Sequence, residues 1–114
     1  MSIKIIKDAI SINELKEIAK NQFGDLVKTV VDVEKEIMAI GGELHADEEA
    51  LLLQNGSRQE NLWGINLHLN KLNDEFIEFD SMINIRPSQS NRSRGVESLD
   101  IQRKIRDIIS KLVL

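Results

Sequence analysis

The 114-residue chain contains no cysteine, a single proline and few aromatic residues, three Phe and one Trp. The lack of cysteine excludes disulfide bonds and thiolate chemistry and is typical of cytoplasmic proteins. No apolar run approaches the roughly 20 residues that a membrane-spanning helix needs. The N-terminal segment is interrupted by Lys4, Lys7 and Asp8, unlike a signal peptide. We therefore expect a cytoplasmic protein without a membrane partner.

Several classes of function are disfavoured by composition. A net charge of −4 argues against non-specific nucleic-acid binding, because phosphate contacts require Lys and Arg. The few aromatic residues leave no stacking platform for single strands. Phosphate-binding and dinucleotide-binding glycine motifs, a nucleophile elbow and zinc-finger spacing are all missing. The basic residues are unevenly spread, however, since seven of the fifteen Lys and Arg follow residue 85. The overall negative charge therefore does not exclude a local basic site.

Hydrophobic periodicity predicts five strands and three helices. A capping box from Ser11 to Glu14 begins the first helix, Gly24 ends it, and Ser98 caps the last. The predicted strands cover residues 3–7, 26–33, 37–40, 61–69 and 76–87, and the helices cover 12–23, 46–55 and the segment after Ser98. Because hairpins dominate this order, β-α-β-β-α-β-β-α, we expect a single α+β domain over residues 1–114. Its five-stranded sheet would be mostly antiparallel, with the helices packed on one face.

The stretch from Phe76 to Pro87 alternates apolar and polar residues for longer than the usual strand of about 5–6 residues. It predicts a long central strand that pairs with strand 61–69 through a short loop. In that register three pairs face each other: Trp63 with Ser81, Ile65 with Phe79, and Leu67 with Ile77. Asn66 then opposes Glu78 on the polar face. Trp63 and Phe79 are expected in the core.

The most basic loop, PSQSNRSRG, follows this strand. Guanidinium groups grip phosphate or carboxylate in bidentate fashion, and Gly95 would let the backbone approach a ligand closely. We expect three arginines to surround one anion, with Asn and Ser side chains as neutral donors. The predicted ligand-binding residues are Asn84, Arg86, Asn91, Arg92, Ser93 and Arg94. An ordinary solvated loop, in which the arginines pair with nearby carboxylates, is the alternative.

A second polar group lies before the second helix, where Glu43, His45 and Asp47 are candidate catalytic residues. A histidine with an orienting carboxylate is typical of a general base. No recognised metal-ligand spacing is present, so we predict no metal, and the residues identify no cofactor. The acidic residues are also accounted for by the electrostatics of a helix start.

Three long motifs, GGELHADEEALL (41–52), NLWGIN (61–66) and DSMINIRPSQSNRSRGVE (80–97), carry a resemblance that covers nearly the whole chain. The sequence resembles a family of small prokaryotic proteins known only as a domain of unknown function. The resemblance implies a stand-alone, one-domain prokaryotic protein. It implies no activity, substrate or catalytic residue.

The sequence by itself is compatible with three functions. The first is a binding module for an anionic, phosphate-bearing ligand, a phosphorylated small molecule or nucleotide, held by the Arg86–Arg94 loop. The second is a phosphoester hydrolase in which the same loop works with His45 and nearby carboxylates, which requires His45 within about 10 Å of the arginines. The third is a regulatory or structural homodimer formed through the amphiphilic sheet face that carries Leu62, Met82 and Phe76.

Overall fold

The structure, a computed structural model, describes residues 2–114. Its strands are β1 (Lys4–Ile6), β2 (Leu26–Asp32), β3 (Ile37–Ile40), β4 (Leu62–His68) and β5 (Ile77–Glu78), and its α-helices are α1 (Ile12–Lys20), α2 (His45–Gln54) and α3 (Leu99–Leu112). The strands form one sheet in the order β1-β3-β2-β4-β5, and every neighbouring pair is antiparallel. The predicted α+β class and five-stranded antiparallel sheet are confirmed.

Two of the helices begin where a serine satisfies the first free backbone N–H groups. Ser11 Oγ accepts from the Glu14 N–H at 3.1 Å, and Ser98 Oγ accepts from the Ile101 N–H at 3.3 Å. Within residues 2–114, no helix has the length and apolar content needed to cross a membrane.

The two faces of the sheet bury different side chains, as the period of two along a strand requires. One face carries Val27 and Val31 of β2 together with Trp63, Ile65 and Leu67 of β4. Helices α1 and α3 cover this face with a second set of apolar side chains: Leu15, Ala19, Ile105, Ile108, Ile109 and Leu112. Trp63 is 2% exposed, so its predicted core position is confirmed.

The opposite sheet face corrects the expectation that the helices gather on one side. Val30, Ala39 and Leu62 form a smaller apolar cluster there, and Leu52 of α2 packs onto it. The one-face arrangement therefore holds for α1 and α3 only. The reason is local: β2 is buried on both faces, so each face needs a helix to cover it.

The prediction of a long central strand over residues 76–87 is correct only for its first residues. The predicted pairs Leu67–Ile77 and Asn66–Glu78 are present, but β5 ends at Glu78. Residues Met82–Asn84 instead form a 3-10 turn capped by Ser81, whose Oγ accepts from the Ile83 N–H at 3.3 Å. Short polar side chains offer the backbone an alternative to ladder pairing.

The side chain of Asn84 takes over the pairing that the missing strand would have supplied. Its Oδ1 accepts from the Gly64 N–H at 2.8 Å, and its Nδ2 donates to the Gly64 carbonyl at 2.9 Å. The absence of a side chain at Gly64 also lets Ser81 pack closely against β4, because an added Cβ would lie 2.5 Å from Ser81 Cβ. An asparagine amide thus replaces a backbone peptide at the outer edge of β4.

Candidate functional site

A polar groove of about 240 Å³ lies between the first turn of α2, strands β2 and β4, and the segment that follows β5. We call it the α2 groove. Its polar lining comes from Lys28, His45, Asn66, Asp80, Ser81 and Arg94, and its apolar lining from Leu44, Ala46, Met82 and Ile83. Of the residues predicted for a site, His45 and Arg94 meet here.

The N-terminus of α2 differs from those of α1 and α3 in having no side-chain cap. The N-cap residue is Leu44, which makes no side-chain capping bond. Within residues 2–114 the backbone N–H groups of His45 and Ala46 donate no hydrogen bond. These groups carry the partial positive charge of the helix end. Since Ala46 lines the α2 groove, that charge lies beside the groove.

Two cationic side chains add to the positive charge beside the α2 groove. Lys28 is half-buried on β2, directly opposite Asn66 of β4. Arg94 is held in place by its backbone, because its carbonyl accepts from the Ser81 N–H at 2.9 Å and from Asn84 Nδ2 at 3.0 Å. Its guanidinium Nε donates to Asp80 Oδ1 at 2.6 Å. The lining therefore holds two cations against one carboxylate.

Asn66 is 8% exposed and its side chain is fixed at one end only. Its Nδ2 donates to Glu78 Oε1 at 2.9 Å and to the Asp80 carbonyl at 3.3 Å, which uses both amide hydrogens. Asn66 Oδ1 has no partner among the described residues. Hydrogen bonds from His68 and then from Asn66 lower the pKa of Glu78. Asn66, a residue of the groove lining, thus has a buried acceptor without a donor.

His45 is neutral and has a defined tautomer. Its Nε2 lies 2.8 Å from the Ile65 carbonyl oxygen, which only accepts, so Nε2 carries the proton. Burial is the main reason that the pKa of His45 is lowered. The hydrogen bond to the Ile65 carbonyl and the charge of Asp80 raise this pKa, whereas the charges of Lys28 and Arg94 lower it further. The imidazole therefore keeps Nδ1 as a lone-pair acceptor.

Glu48, one turn further along α2, is fully buried. Its Oε2 accepts from the Gly42 N–H at 3.0 Å, and an added Cβ at Gly42 would lie 2.8 Å from Glu48 Cγ. Burial raises the pKa of Glu48 to about 9. The carboxyl is consequently protonated at neutral pH, and it contributes no negative charge beside the α2 groove.

The predicted convergence of three arginines on one anion does not occur. Arg86 is 9% exposed, and its guanidinium donates to the backbone carbonyls of Gln59 and Leu62. The same group stacks over the Trp63 ring, 4.3 Å from its centroid. Arg86 thus ties its loop to β4, because a buried guanidinium must find acceptors. Arg92 is exposed and lies outside the α2 groove.

The rest of the loop is organised by Asn91 and Glu97. Asn91 Nδ2 donates to three carbonyls, those of Asn84, Ser93 and Gly95. Glu97 Oε2 accepts from the backbone N–H groups of Arg92 at 2.7 Å and Ser93 at 2.9 Å. These two bonds are the main reason that the pKa of Glu97 is lowered. The backbone N–H groups of Arg92 and Ser93 therefore hold a carboxylate of the chain itself.

The two acidic candidates beside His45 are separated from it. Glu43 and Asp47 line a different depression, on the Gly42 side of Leu44. Both are exposed, and neither lines the α2 groove. Among residues 2–114, no group of three or more His, Asp or Glu side chains could hold a metal ion.

Sequence reasoning missed Lys28, Asn66 and the free end of α2 as parts of one site. The signal for the helix end was present, since Leu44 stands where Ser, Thr, Asp or Asn would cap a helix. The signal for Lys28 was its position inside the β-branched run LVKTVVDV. Only the pairing of β2 with β4 brings Lys28 and Asn66 together.

Comparisons with known proteins identify a family but no activity. The family model described as Protein of unknown function (DUF5674) matches residues 4–112. No curated protein matches the chain, and no solved structure matches it.

Proposed function

We propose that this chain, which belongs to that family, is a binding module for a small phosphate-bearing anion and that the α2 groove is its site. One observation supports the proposal: Lys28, Arg94 and the uncapped N-terminus of α2 line the same groove. The Arg86–Arg94 loop contributes Arg94 alone.

The physical case combines two kinds of donor. Free N–H groups at a helix N-terminus favour anions through both hydrogen bonding and the helix dipole. A guanidinium and an ammonium add charge-assisted hydrogen bonds, each worth roughly 1.5–3 kcal/mol. His45 is neutral and Glu48 is protonated, so the local charge remains positive despite Asp80.

The size of the groove restricts the ligand. At about 240 Å³ it is smaller than the roughly 300–1,000 Å³ of sites for drug-sized molecules. A phosphorylated metabolite of few atoms, or the phosphate end of a nucleotide, fits this volume. A cytoplasmic location, favoured by the cysteine-free sequence, would supply such ligands.

A thermal-shift screen with phosphorylated metabolites and nucleotides tests the proposal, since a ligand that binds only the folded state raises Tm. The best hit is then titrated against Lys28→Ala and Arg94→Ala, each of which should weaken binding about tenfold or more. Arg94→Lys should restore affinity only in part, because the fork is lost. Arg92→Ala is the matched control, an exposed arginine of the same loop outside the groove.

Two results would contradict the proposal. Unchanged affinity in both Lys28→Ala and Arg94→Ala would remove the groove as the site. Loss of affinity in Arg92→Ala alone would return the site to the basic loop. The titrations should be repeated at two salt concentrations, because binding by exposed charges weakens as screening increases.

A phosphoester hydrolase is the second candidate, favoured by the presence of His45 and Arg94 in one groove. In that function Nδ1 of neutral His45 would act as general base and Arg94 would stabilise the charged oxygens. Neither Glu43 nor Asp47 takes part in this arrangement. Turnover of an aryl phosphate that is abolished by His45→Gln and retained in Asp47→Asn would support the hydrolase, and binding without turnover would exclude it.

A further inference from the structure

We infer that the anion bound in the α2 groove carries a primary amine close to its charged group. The inference rests on the proposed function and adds the chemical class of the ligand. Its starting point is Asn66, a residue of the groove lining whose Oδ1 is buried and has no partner among the described residues. A buried acceptor without a donor is unfavourable by about 1–3 kcal/mol, so a ligand that donates to it gains affinity.

Asn66 is one of three lining residues that carry a hydrogen-bond acceptor. Asp80 contributes a carboxylate, and His45 contributes Nδ1, because its other ring nitrogen donates to Ile65. Asn66 and Asp80 are linked directly, since Asn66 Nδ2 donates to the Asp80 carbonyl. An ammonium group offers three N–H donors and a positive charge. It matches this set better than a hydroxyl, which offers one donor and no charge.

The amide of Asn66 is unable to turn and present its donors instead. Rotation by half a turn would place Oδ1 against Glu78 Oε1 and the Asp80 carbonyl, both of which only accept. Its acceptor is therefore fixed toward ligands that donate. This excludes a second phosphate oxygen from that position.

The groove lining carries charges of both signs side by side, since Arg94 Nε donates to Asp80 Oδ1 at 2.6 Å, and such a lining suits a zwitterion. Lys28, Arg94 and the end of α2 favour the anionic group, and Asp80 favours the cationic one. A phosphomonoester carries about −1.5 to −2 at neutral pH, so an aminated phosphate keeps a net negative charge. That residual charge suits a groove with two cations and one carboxylate.

Isothermal titration of the wild-type protein with three matched phosphates tests the inference. The ligands are 2-aminoethyl phosphate, 2-hydroxyethyl phosphate and propyl phosphate, which differ only in the terminal amino, hydroxyl or methyl group. We expect the amino compound to bind at least tenfold more tightly than the propyl compound, with the hydroxyl compound between them. Equal affinity for the amino and propyl compounds would overturn the inference.

Two variants test which residues cause the preference for the amino compound. Asn66→Ala removes the acceptor, and Asp80→Asn removes the charge while keeping the side-chain shape. Each should reduce the preference for the amino compound to about threefold or less. A full preference retained in both variants would overturn the inference.

The same data separate this inference from the proposed function. If the three phosphates bind equally and all weaken in Arg94→Ala, the anion site stands and the amine is wrong. If none of them binds, both proposals fail for small phosphates. Circular dichroism and Tm of each variant establish that it is folded before its affinity is compared.

Discussion

Replacing Glu48 with glutamine should remove much of the pH dependence of the protein's stability. Glu48 is fully buried, and its carboxyl accepts from the Gly42 N–H. Glutamine keeps the size of the side chain and an oxygen acceptor for that bond, but it never ionises. The difference in pH dependence between the two proteins therefore isolates the effect of the proton.

The expected size follows from the two pKa values. Burial raises the pKa of Glu48 from 4.5 to about 9, so above pH 4.5 the folded protein holds a proton that the unfolded chain releases. The stability that this group contributes is present in full below the unfolded pKa and is lost as pH rises toward the folded one. Over that window the loss is about 1.4 kcal/mol per pH unit, or about 3 kcal/mol at pH 7.

The measurement is urea unfolding of wild type and Glu48→Gln at four pH values from 5 to 8. The free energy of unfolding of the wild type should fall relative to the variant by about 1.4 kcal/mol for each pH unit. Asp47→Asn, a change at the exposed neighbouring residue, is the matched control and should follow the wild-type slope. Parallel curves for wild type and Glu48→Gln would refute the assignment of a buried, protonated carboxyl.

Three further substitutions test the packing around β4. Trp63→Ala should lower the free energy of unfolding by about 3–5 kcal/mol, as for other buried aromatics, measured in urea; a loss below 1 kcal/mol would contradict the core assignment. Arg86→Lys should lower it by about 1.5–3 kcal/mol, because an ammonium is unable to reach both carbonyls and stack on the ring, while ligand affinity stays unchanged. Gly64→Ala should be destabilising by about 1–3 kcal/mol through overpacking against Ser81, and the loss should be smaller in a Ser81→Gly background, where the two clashing atoms are absent; an equal loss in both backgrounds would argue against that contact.

The features predicted correctly from the sequence are those that neighbouring residues determine. The serine caps at Ser11 and Ser98 act on backbone groups within three residues, and both helices begin as predicted. The pairing of Leu67 with Ile77 follows from a short loop and matching apolar faces. Such signals require no knowledge of the rest of the fold.

The misassigned strand shows where alternation ceases to be informative. Ile77 lies in the core under α1 and α3, Ile83 packs on the opposite face, and Ile85 is 39% exposed. Beyond Glu78 the period of two corresponds neither to one buried face nor to a continuous ladder. Ser81 and Asn84 supplied the warning, because both side chains compete with backbone pairing.

The candidate site was predicted only in part. The reason is that its residues are distant from one another in sequence. His45 and Arg94 were each identified, but their meeting depends on the segment after β5, which folds back against β4 through Asn84. Arg86 was predicted as a ligand-binding residue on charge alone. Its carbonyl partners, Gln59 and Leu62, precede it by more than twenty residues, so no local pattern could reveal them.

The outer edge of β4 has a consequence for aggregation. Beyond its two pairs with β5, this edge is closed by side chains, since Asn84 bonds both polar groups of Gly64 and Arg86 bonds the Leu62 carbonyl. A backbone strand protects an edge along its whole length, whereas here one substitution opens it. The apolar run LWGI would then present free backbone groups, which recruit strands from other molecules. By occupying these groups, Asn84 and Arg86 leave this part of the edge without the free N–H and C=O groups that a strand of another molecule would pair with.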